Sequence, residues 1–235
     1  MQKGIYIALS GAVLNQKQME IVAQNIANVD TTGYKKDSIT FQQYLIPQDV
    51  VNPDPDGRVM TALSSFNTNH SQGNFIKTEN PLHVAVDGTG FIALEGNLYT
   101  RRGDFTKDSN GYLVATNGVK VLGAKGPIRL PDGTISVSES GQVSVSGTLV
   151  DTIKVKDFAE TSALSKVGES AFTSTQSGTP SKSLLKQGYL EKSNVDSMKE
   201  MVSMIETLRE FETYQKAIQT FDAAAGKVNN DIGRL

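Results

Sequence analysis

The sequence contains no cysteine and no tryptophan, and only two histidines, His70 and His83. The first absence excludes disulfides, thiolate metal sites and a cysteine nucleophile. The scarcity of imidazole all but removes histidine metal sites and histidine-dependent catalysis. No segment approaches the ~18 consecutive apolar residues that a membrane-spanning helix needs. The start, Met1-Gln2-Lys3-Gly4, leads into an amphipathic pattern rather than a cleavable signal, so neither membrane insertion nor a signal peptide is expected. A basic surplus is missing too. Lys and Arg total 23 against 25 Asp and Glu, a net charge of −2. That balance argues against a nucleic-acid binder, which works by releasing phosphate counterions, and gives little support to a protein of anionic membrane surfaces. The expectation is no cofactor, no metal and no catalytic site. At 235 residues, 38% of them hydrophobic, the chain is long enough to bury a core.

What the sequence does contain falls into three zones. Residues 3 to 29 hold no proline, and Ile5, Ala8, Ala12, Asn15, Met19, Val22, Ile26 and Val29 step by three and four. That is a heptad seam with one polar member. Ile7, Leu14 and Ile21 form a second apolar row on another face. The other end mirrors this. Ser193-Asn194-Val195-Asp196 reads as a helix-capping box, with Asp196 also favoured by the positive end of the helix dipole. Met204, Phe211, Ile218, Ala225 and Ile232 then repeat at seven. Met201 and Leu208 complete the seam in the first half of this helix; Tyr214, Phe221 and Val228 complete it in the second. The change of companion row predicts a stammer-like phase slip between Phe211 and Tyr214.

Between the ends the period drops to two. Short apolar runs such as His83–Val86, Phe91–Leu94, Tyr112–Val114 and Val119–Leu122 alternate with Asp87-Gly88, Asn110-Gly111 and Asn117-Gly118 turns. Strands at this spacing indicate an antiparallel all-β domain. The expected class is α+β: a discontinuous, coiled-coil-like helical layer from residues 1–30 and 193–235, and a central antiparallel β domain at 81–161. Residues 31–80 and 162–192, rich in Pro, Ser, Thr, Asn and Gly, read as extended connectors.

Helices with more than one apolar face pose a burial problem. Packed on each other within one chain, they cover one stripe each and leave the remaining rows wet, at about 25 cal/mol per Å². Repeated head-to-tail contact with other subunits would cover those rows and give a filament or tube. The alternative is a monomer whose helical hairpin lies on its own sheet.

One stretch is more specific than any periodicity. Ala23-Gln24-Asn25-Ile26-Ala27-Asn28-Val29-Asp30-Thr31-Thr32-Gly33-Tyr34-Lys35-Lys36 closely resembles the amino-terminal signature of bacterial flagellar axial proteins. Asn25, Asn28, Thr31, Gly33, Tyr34 and Lys35 fill its positions without gaps. An ordinary helix stop accounts for Gly33 but not for the rest. Gly73-Asn74-Phe75 through Gly88 is similar to the lead-in to the β domain in the rod and hook group. Tyr99-Thr100-Arg101-Arg102-Gly103-Asp104-Phe105 resembles its strand-and-turn motif, and Gln187 through Val195 the string that opens its last helix. Arg102 and His83 depart from the usual pattern. The resemblance covers nearly the whole chain.

It implies a flagellar basal-body rod protein: a structural subunit, not an enzyme, of the hollow shaft that crosses the periplasm, transmits torque and conducts later subunits. The implied partners are copies of itself, other rod and hook axial proteins, and the flagellar type III export apparatus. The implied assembly residues are the six signature positions with Ile5, Met19, Val22, Ile26, Met204, Leu208, Phe211, Ile218, Phe221 and Ile232, and the implied caps are Ser193, Asn194 and Asp196. The chain is short for a hook protein, and residues 46–72 leave no room for the insert of distal-rod proteins, so the proximal type is favoured over the distal.

Other signals are weaker. Gly88-Thr89-Gly90-Phe91-Ile92-Ala93 fits a dinucleotide fingerprint in letters, but another turn follows where a helix is required. Asp54-Pro55-Asp56-Gly57 lacks the later ligands of a calcium loop. Asp104 with Asp108, or Asp87 with Glu95, form carboxylate pairs of the sort glycosidases use, which keeps a secreted β domain that binds or cleaves cell-wall polysaccharide as the alternative from another class. Met198, Met201 and Met204 are adaptable packing for an interface.

Overall fold

The computed structural model describes residues 2–45, 59–168 and 170–232. It is α+β, with a long helix at either end of the chain and antiparallel sheets between them. The chain divides into two compact units. One comprises Met1–Ile26, Asp37–Asn67 and Asp196–Leu235; the other comprises Ala27–Lys36 and Thr68–Val195.

The first unit holds α1 (Gln2–Ala27) and α2 (Ser197–Ile232). They run antiparallel in one unbroken register. Gly4 lies against the Phe221 ring and Gly11 against Tyr214. Asn15 Nδ2 donates to Glu210 at 3.2 Å, and Asn25 Nδ2 to Glu200 at 3.2 Å. In each of these four pairs the residue numbers total 225, so every step up one helix is matched by a step down the other. A Cβ on Gly11 would stand 2.6 Å from the Tyr214 ring, which is why the closest approach falls on glycines. Ala8, Ala12, Asn15 and Val22 are buried along the seam of α1, with Ile5, Met19 and Ile26 half-buried.

The phase slip expected near Phe211 does not occur. The inward row of α2 runs through Glu200, Met204, Thr207, Phe211, Tyr214, Ile218 and Phe221, alternating four and three throughout. Thr207 and Glu200 are each 2% exposed, while Leu208 and Met201 stay out at 44% and 51%. Polar residues take the seam positions because each has a partner there: Thr207 Oγ1 donates to Ser203 O at 2.8 Å, and Glu200 accepts from Asn25. A buried polar group with its hydrogen bond made is tolerated where an unpaired one is not. The Val228 and Ile232 side chains and the Asp54–Gly57 turn lie outside the described residues.

The same unit contains β1 (Asp37–Leu45) paired with β2 (Val59–Thr68). Residues 31–80 are therefore not plain connector. Nor are 162–192, which carry strands Leu164–Val167, Ala171–Ser174, Thr179–Pro180, Leu184–Gln187 and Tyr189–Glu191. Their Ser/Thr-rich composition hides single apolar anchors. Phe172 and Leu185 are 0% and 1% exposed, and Phe172 sits opposite Tyr99 in the ladder.

In the second unit a six-stranded sheet runs Leu164–Val167, Ala171–Ser174, Leu98–Thr100, Phe91–Leu94, Val155–Asp157, Thr179–Pro180. Val84–Asp87 pairs with Leu184–Gln187, and Phe75–Lys77 with Tyr189–Glu191. One core gathers Val86, Ile92, Leu94, Phe105, Val121 and Ile128; a second, aromatic one gathers Phe91, Tyr99, Phe158 and Phe172. The Asn110-Gly111 and Asn117-Gly118 turns form as expected, with φ +86° and +79° at the glycines.

Candidate assembly site around Glu191

Beyond the end of α1 the chain makes a tight turn, with the Thr31 hydroxyl donating to Asn28 Oδ1 at 3.1 Å and the Thr31 amide to Asn28 O at 3.2 Å. Gly33 follows at φ +66°. A Cβ there would stand 2.5 Å from Arg102 N and 2.6 Å from Arg101 C, so only glycine lets this backbone lie on that one. Its amide donates to Glu191 O at 2.8 Å. Tyr34 is fully buried, with Lys166 Nζ 3.8 Å from its ring centroid, a cation–π contact.

Lys35 enters the interior completely. Its Nζ donates to Glu191 Oε1 at 2.6 Å and to Ser71 O at 2.7 Å. Across the same carboxylate, Arg101 Nη1 donates to Glu191 Oε2 at 3.3 Å, and the Gly73 amide donates to Oε1 at 2.9 Å. The Arg101 guanidinium stacks 4.9 Å from the Phe91 ring and also donates to Val86 O and Gly88 O. Lys35, Arg101 and Glu191 are all 1% exposed or less. Two cations thus share one buried anion. Burial pushes the Lys35 ammonium below its ordinary value, with Glu191 opposing the shift. Burial acts on Arg101 in the same direction, again against Glu191.

Every motif string singled out in the sequence meets at Glu191: the signature through Gly33 and Lys35, the lead-in through Gly73, the strand-and-turn through Arg101, and the last string through Glu191 itself. In the sequence, neither Arg101 nor Glu191 stands out as a site residue. Charged residues inside three ordered strings were the available signal. A carboxylate flanked by Arg101 and Lys35, far apart in sequence, is visible only once the sheets form.

The segment before α2 is stitched to the same place. Asn194 Oδ1 accepts from Lys36 N at 2.8 Å, and its Nδ2 donates to Asn69 O at 2.8 Å and Ser71 O at 3.0 Å. Asn194 is therefore not a helix cap, and neither is Ser193, whose hydroxyl accepts from Val195 N outside the helix. The expected box sits three residues too early. Asp196 is the N-cap: its Oδ1 accepts from Met198 N at 3.1 Å and Lys199 N at 3.3 Å. The Lys199 amide is the largest cause of an Asp196 pKa below the ordinary carboxylate value. A carboxyl with a depressed folded pKa stabilises above its unfolded value and loses that contribution as pH falls through the folded one. Acidification should therefore fray the first turn of α2, read as faster hydrogen exchange at Met198 and Lys199. Asp196→Asn, which caps without ionising, should remove that pH dependence.

In the first unit, Asn25 brackets the backbone of Asp37, donating to its O at 2.9 Å and accepting from its N at 3.0 Å.

Three family models match in chain order. Flagella basal body rod protein covers residues 5–35, the flagellar hook protein FlgE/F/G D1 domain covers 85–145, and the flagellar basal body rod FlgEFG protein C-terminal covers 186–231. Lys35, Arg101 and Glu191 fall one in each. The flagellar basal-body rod protein FlgG of Agrobacterium fabrum is 30% identical over 98% of this chain and 99% of its own length. FlgG of Bacillus subtilis is 31% identical over 94% and 96%, and FlgF of Caulobacter vibrioides is 30% identical over the whole of both chains. The chain belongs to the flagellar basal-body rod protein family.

A rod-family protein is a structural part of the flagellar basal body and of motility, and it assembles with other rod and hook axial proteins. The carboxylates that raised a glycosidase reading are engaged in turns and ion pairs. Asp104 takes a bidentate grip from Arg102 at 2.7 and 2.9 Å, Asp108 accepts from the Asn110 and Tyr112 amides, and Asp87 meets Lys186 at 2.6 Å. Arg102, a departure from the family pattern, thus brings its own partner. Gly88-Thr89-Gly90 joins two strands, with no helix behind it.

Proposed function

We propose that this chain is a non-enzymatic subunit of the hollow rod, adding copy upon copy through its terminal helices to build a shaft that transmits torque and passes later subunits through its bore. One observation carries this reading. With one stripe of each helix already packed against the other, Tyr6, Ile7, Leu9 and Val13 on α1, and Met198, Met201, Val202, Ile205 and Leu208 on α2, remain 44–72% exposed. Patches of that extent mark interaction surfaces. The signature positions Asn25, Asn28, Thr31, Gly33, Tyr34 and Lys35 support assembly indirectly, by fixing the segments next to both helices. The half-buried row Ile5, Met19, Ile26, Met204, Phe211, Ile218 and Phe221 holds the helix pair, and Leu208 faces neighbours.

The proximal type fits better than the distal. The Agrobacterium FlgG alignment runs to 264 positions against 235 residues, so at least 29 are gaps in this chain. The FlgF alignment runs to 246, requiring at least 11. That shortfall supports the absence of the distal-type insert. Delivery is by the flagellar type III export apparatus, in an unfolded state, so the Glu191 node closes only after export. Deleting the chain should abolish swimming and leave basal bodies without a finished rod, and a tagged copy should restore both and purify with the rod. Normal filaments in the deletion strain, or a tagged chain found only free and bound to peptidoglycan, would overturn the proposal.

A further inference from the structure

The turn that leads into strand Val84–Asp87 gathers polar groups around a single peptide bond. Asn80 precedes Pro81, and its backbone carbonyl accepts from the His83 amide at 3.1 Å. Its side-chain Oδ1 accepts from Leu82 N at 3.0 Å, and its Nδ2 lies 3.3 Å from His83 Nε2. On the other side of the ring, His83 Nδ1 lies 2.8 Å from Thr78 Oγ1, which donates to Gly188 O at 3.2 Å. With the Thr78 proton spent on Gly188, Thr78 accepts from Nδ1, and Nδ1 carries the imidazole proton. Nε2 is then a bare lone pair facing the Asn80 amide. Glu79, the residue before, is held at φ +61° with its amide and that of Thr78 both donating to Gly188 O. A non-glycine residue seldom takes that backbone, and such strain gathers where a chain does chemistry.

We propose that this turn is a self-cleavage site, at which the Asn80 side-chain amide displaces Pro81 from the Asn80 carbonyl. Proline has no N–H, so attack of the following backbone nitrogen on the asparagine side chain, the commoner cyclisation, is closed here. The reverse attack is open. Asn80 Nδ2 adds to Asn80 C and closes a five-membered ring; the C–N bond to Pro81 breaks, and the chain ends at residue 80 in a succinimide. One proton leaves Nδ2 for His83 Nε2 and passes to the Pro81 nitrogen. Nothing is oxidised or reduced, and no water is consumed. Each contact has a part in this step. His83 Nε2 is the base, and Thr78 orients its ring as a third group orients the histidine of a catalytic triad. Leu82 N draws on Oδ1, which fixes the amide and acidifies its N–H. His83 N points at the carbonyl oxygen that turns negative on attack, the place of an oxyanion-hole donor. The cut leaves the two pieces together, because Phe75–Lys77 stays paired with Tyr189–Glu191 and Lys35 with Glu191. The site lies wholly within the β-rich unit and is independent of the rod reading.

The test holds the full native chain at neutral pH for days and weighs it by mass spectrometry after denaturation. Fragments of residues 1–80 and 81–235 should accumulate while still eluting together under native conditions. The 1–80 fragment should end in a succinimide, or in the mixture of asparagine and isoasparagine into which water opens it; a protease would leave asparagine alone. Asn80→Asp keeps an acceptor for Leu82 N but has no amide nucleophile, and should stay whole. His83→Gln keeps a hydrogen-bond partner for Asn80 but no base, and should cleave roughly a hundredfold more slowly. The Asn52–Pro53 bond, the same dipeptide followed by Asp54 and Pro55, is the reference within the chain. A native chain that stays whole overturns the proposal without recourse to any variant. So does a 1–80 fragment ending in asparagine alone, equal cleavage at Asn52–Pro53, or a His83→Gln rate equal to the native one.

Discussion

Glu191→Gln is expected to lower the melting temperature of the β-rich unit by roughly 6–20 °C. The substitution keeps the shape and an acceptor oxygen but removes the negative charge between Lys35 and Arg101, both buried. Breaking a buried ion pair by removing one partner costs about 3–5 kcal/mol, and a unit of this size loses about 2–4 °C per kcal/mol. Lys35→Met should cost less than half as much, because it leaves Arg101 and Glu191 paired one to one. In the double variant the two losses should fall short of their sum, as expected for residues in one network. The pH dependence follows from the sign of the Lys35 shift. Its folded pKa lies below the ordinary 10.5, so between those values the unfolded chain binds more protons and stability rises with pH. Without Glu191 to oppose it the shift deepens, and the Glu191→Gln loss should shrink as pH is raised toward 10.5. Thermal unfolding followed by circular dichroism reads all of these. A Lys35→Met loss as large as that of Glu191→Gln would show that packing around the lysine stem, not charge, holds the node.

The helices and the β domain could be read from spacing alone, because period and turn chemistry are local. What escaped was set by partners distant in the chain. Thr207 and Glu200 occupy seam positions that a hydrophobic count assigns to Leu208 and Met201, since the Asn25 amide and the Ser203 carbonyl give those polar groups partners inside. Residues 162–192 passed for connector because a strand with one buried anchor, such as Phe172, has no apolar alternation to betray it. The four motif strings were legible as strings. Their convergence on Glu191 was not, because composition does not tell which lysine among the charged residues goes inside. The capping box failed for a related reason. Ser193 and Asn194 have the right side chains for a cap, but Asn194 is bound to Lys36, Asn69 and Ser71 and Ser193 to the Val195 amide, and the helix begins at the next suitable oxygen, Asp196.

Gly33→Ala tests whether that convergence depends on a single close approach. A left-handed backbone costs a non-glycine residue about 1–2 kcal/mol, and Gly118 at φ +79° would incur the same cost, with nothing within 4 Å of a new Cβ. At Gly33 the Cβ also meets backbone atoms of Arg101 and Arg102 at 2.5–2.7 Å, which cannot swing aside as a side chain would. Either the 28–36 segment lifts off, withdrawing Tyr34 and Lys35 from the interior, or the strand end carrying Arg101 is displaced from Glu191. Both outcomes open the node. Gly33→Ala should therefore destabilise the β-rich unit well beyond Gly118→Ala, expose residues 28–36 to protease and abolish swimming, whereas the Gly118→Ala strain should swim. Equal losses in the two variants would mean that only the left-handed backbone matters, and that the contact with Arg101 and Arg102 relaxes at no cost. A difference of several degrees would assign the excess to the clash, and would make Gly33 the point through which the helix-end signature is fastened to the carboxylate that joins the other three strings.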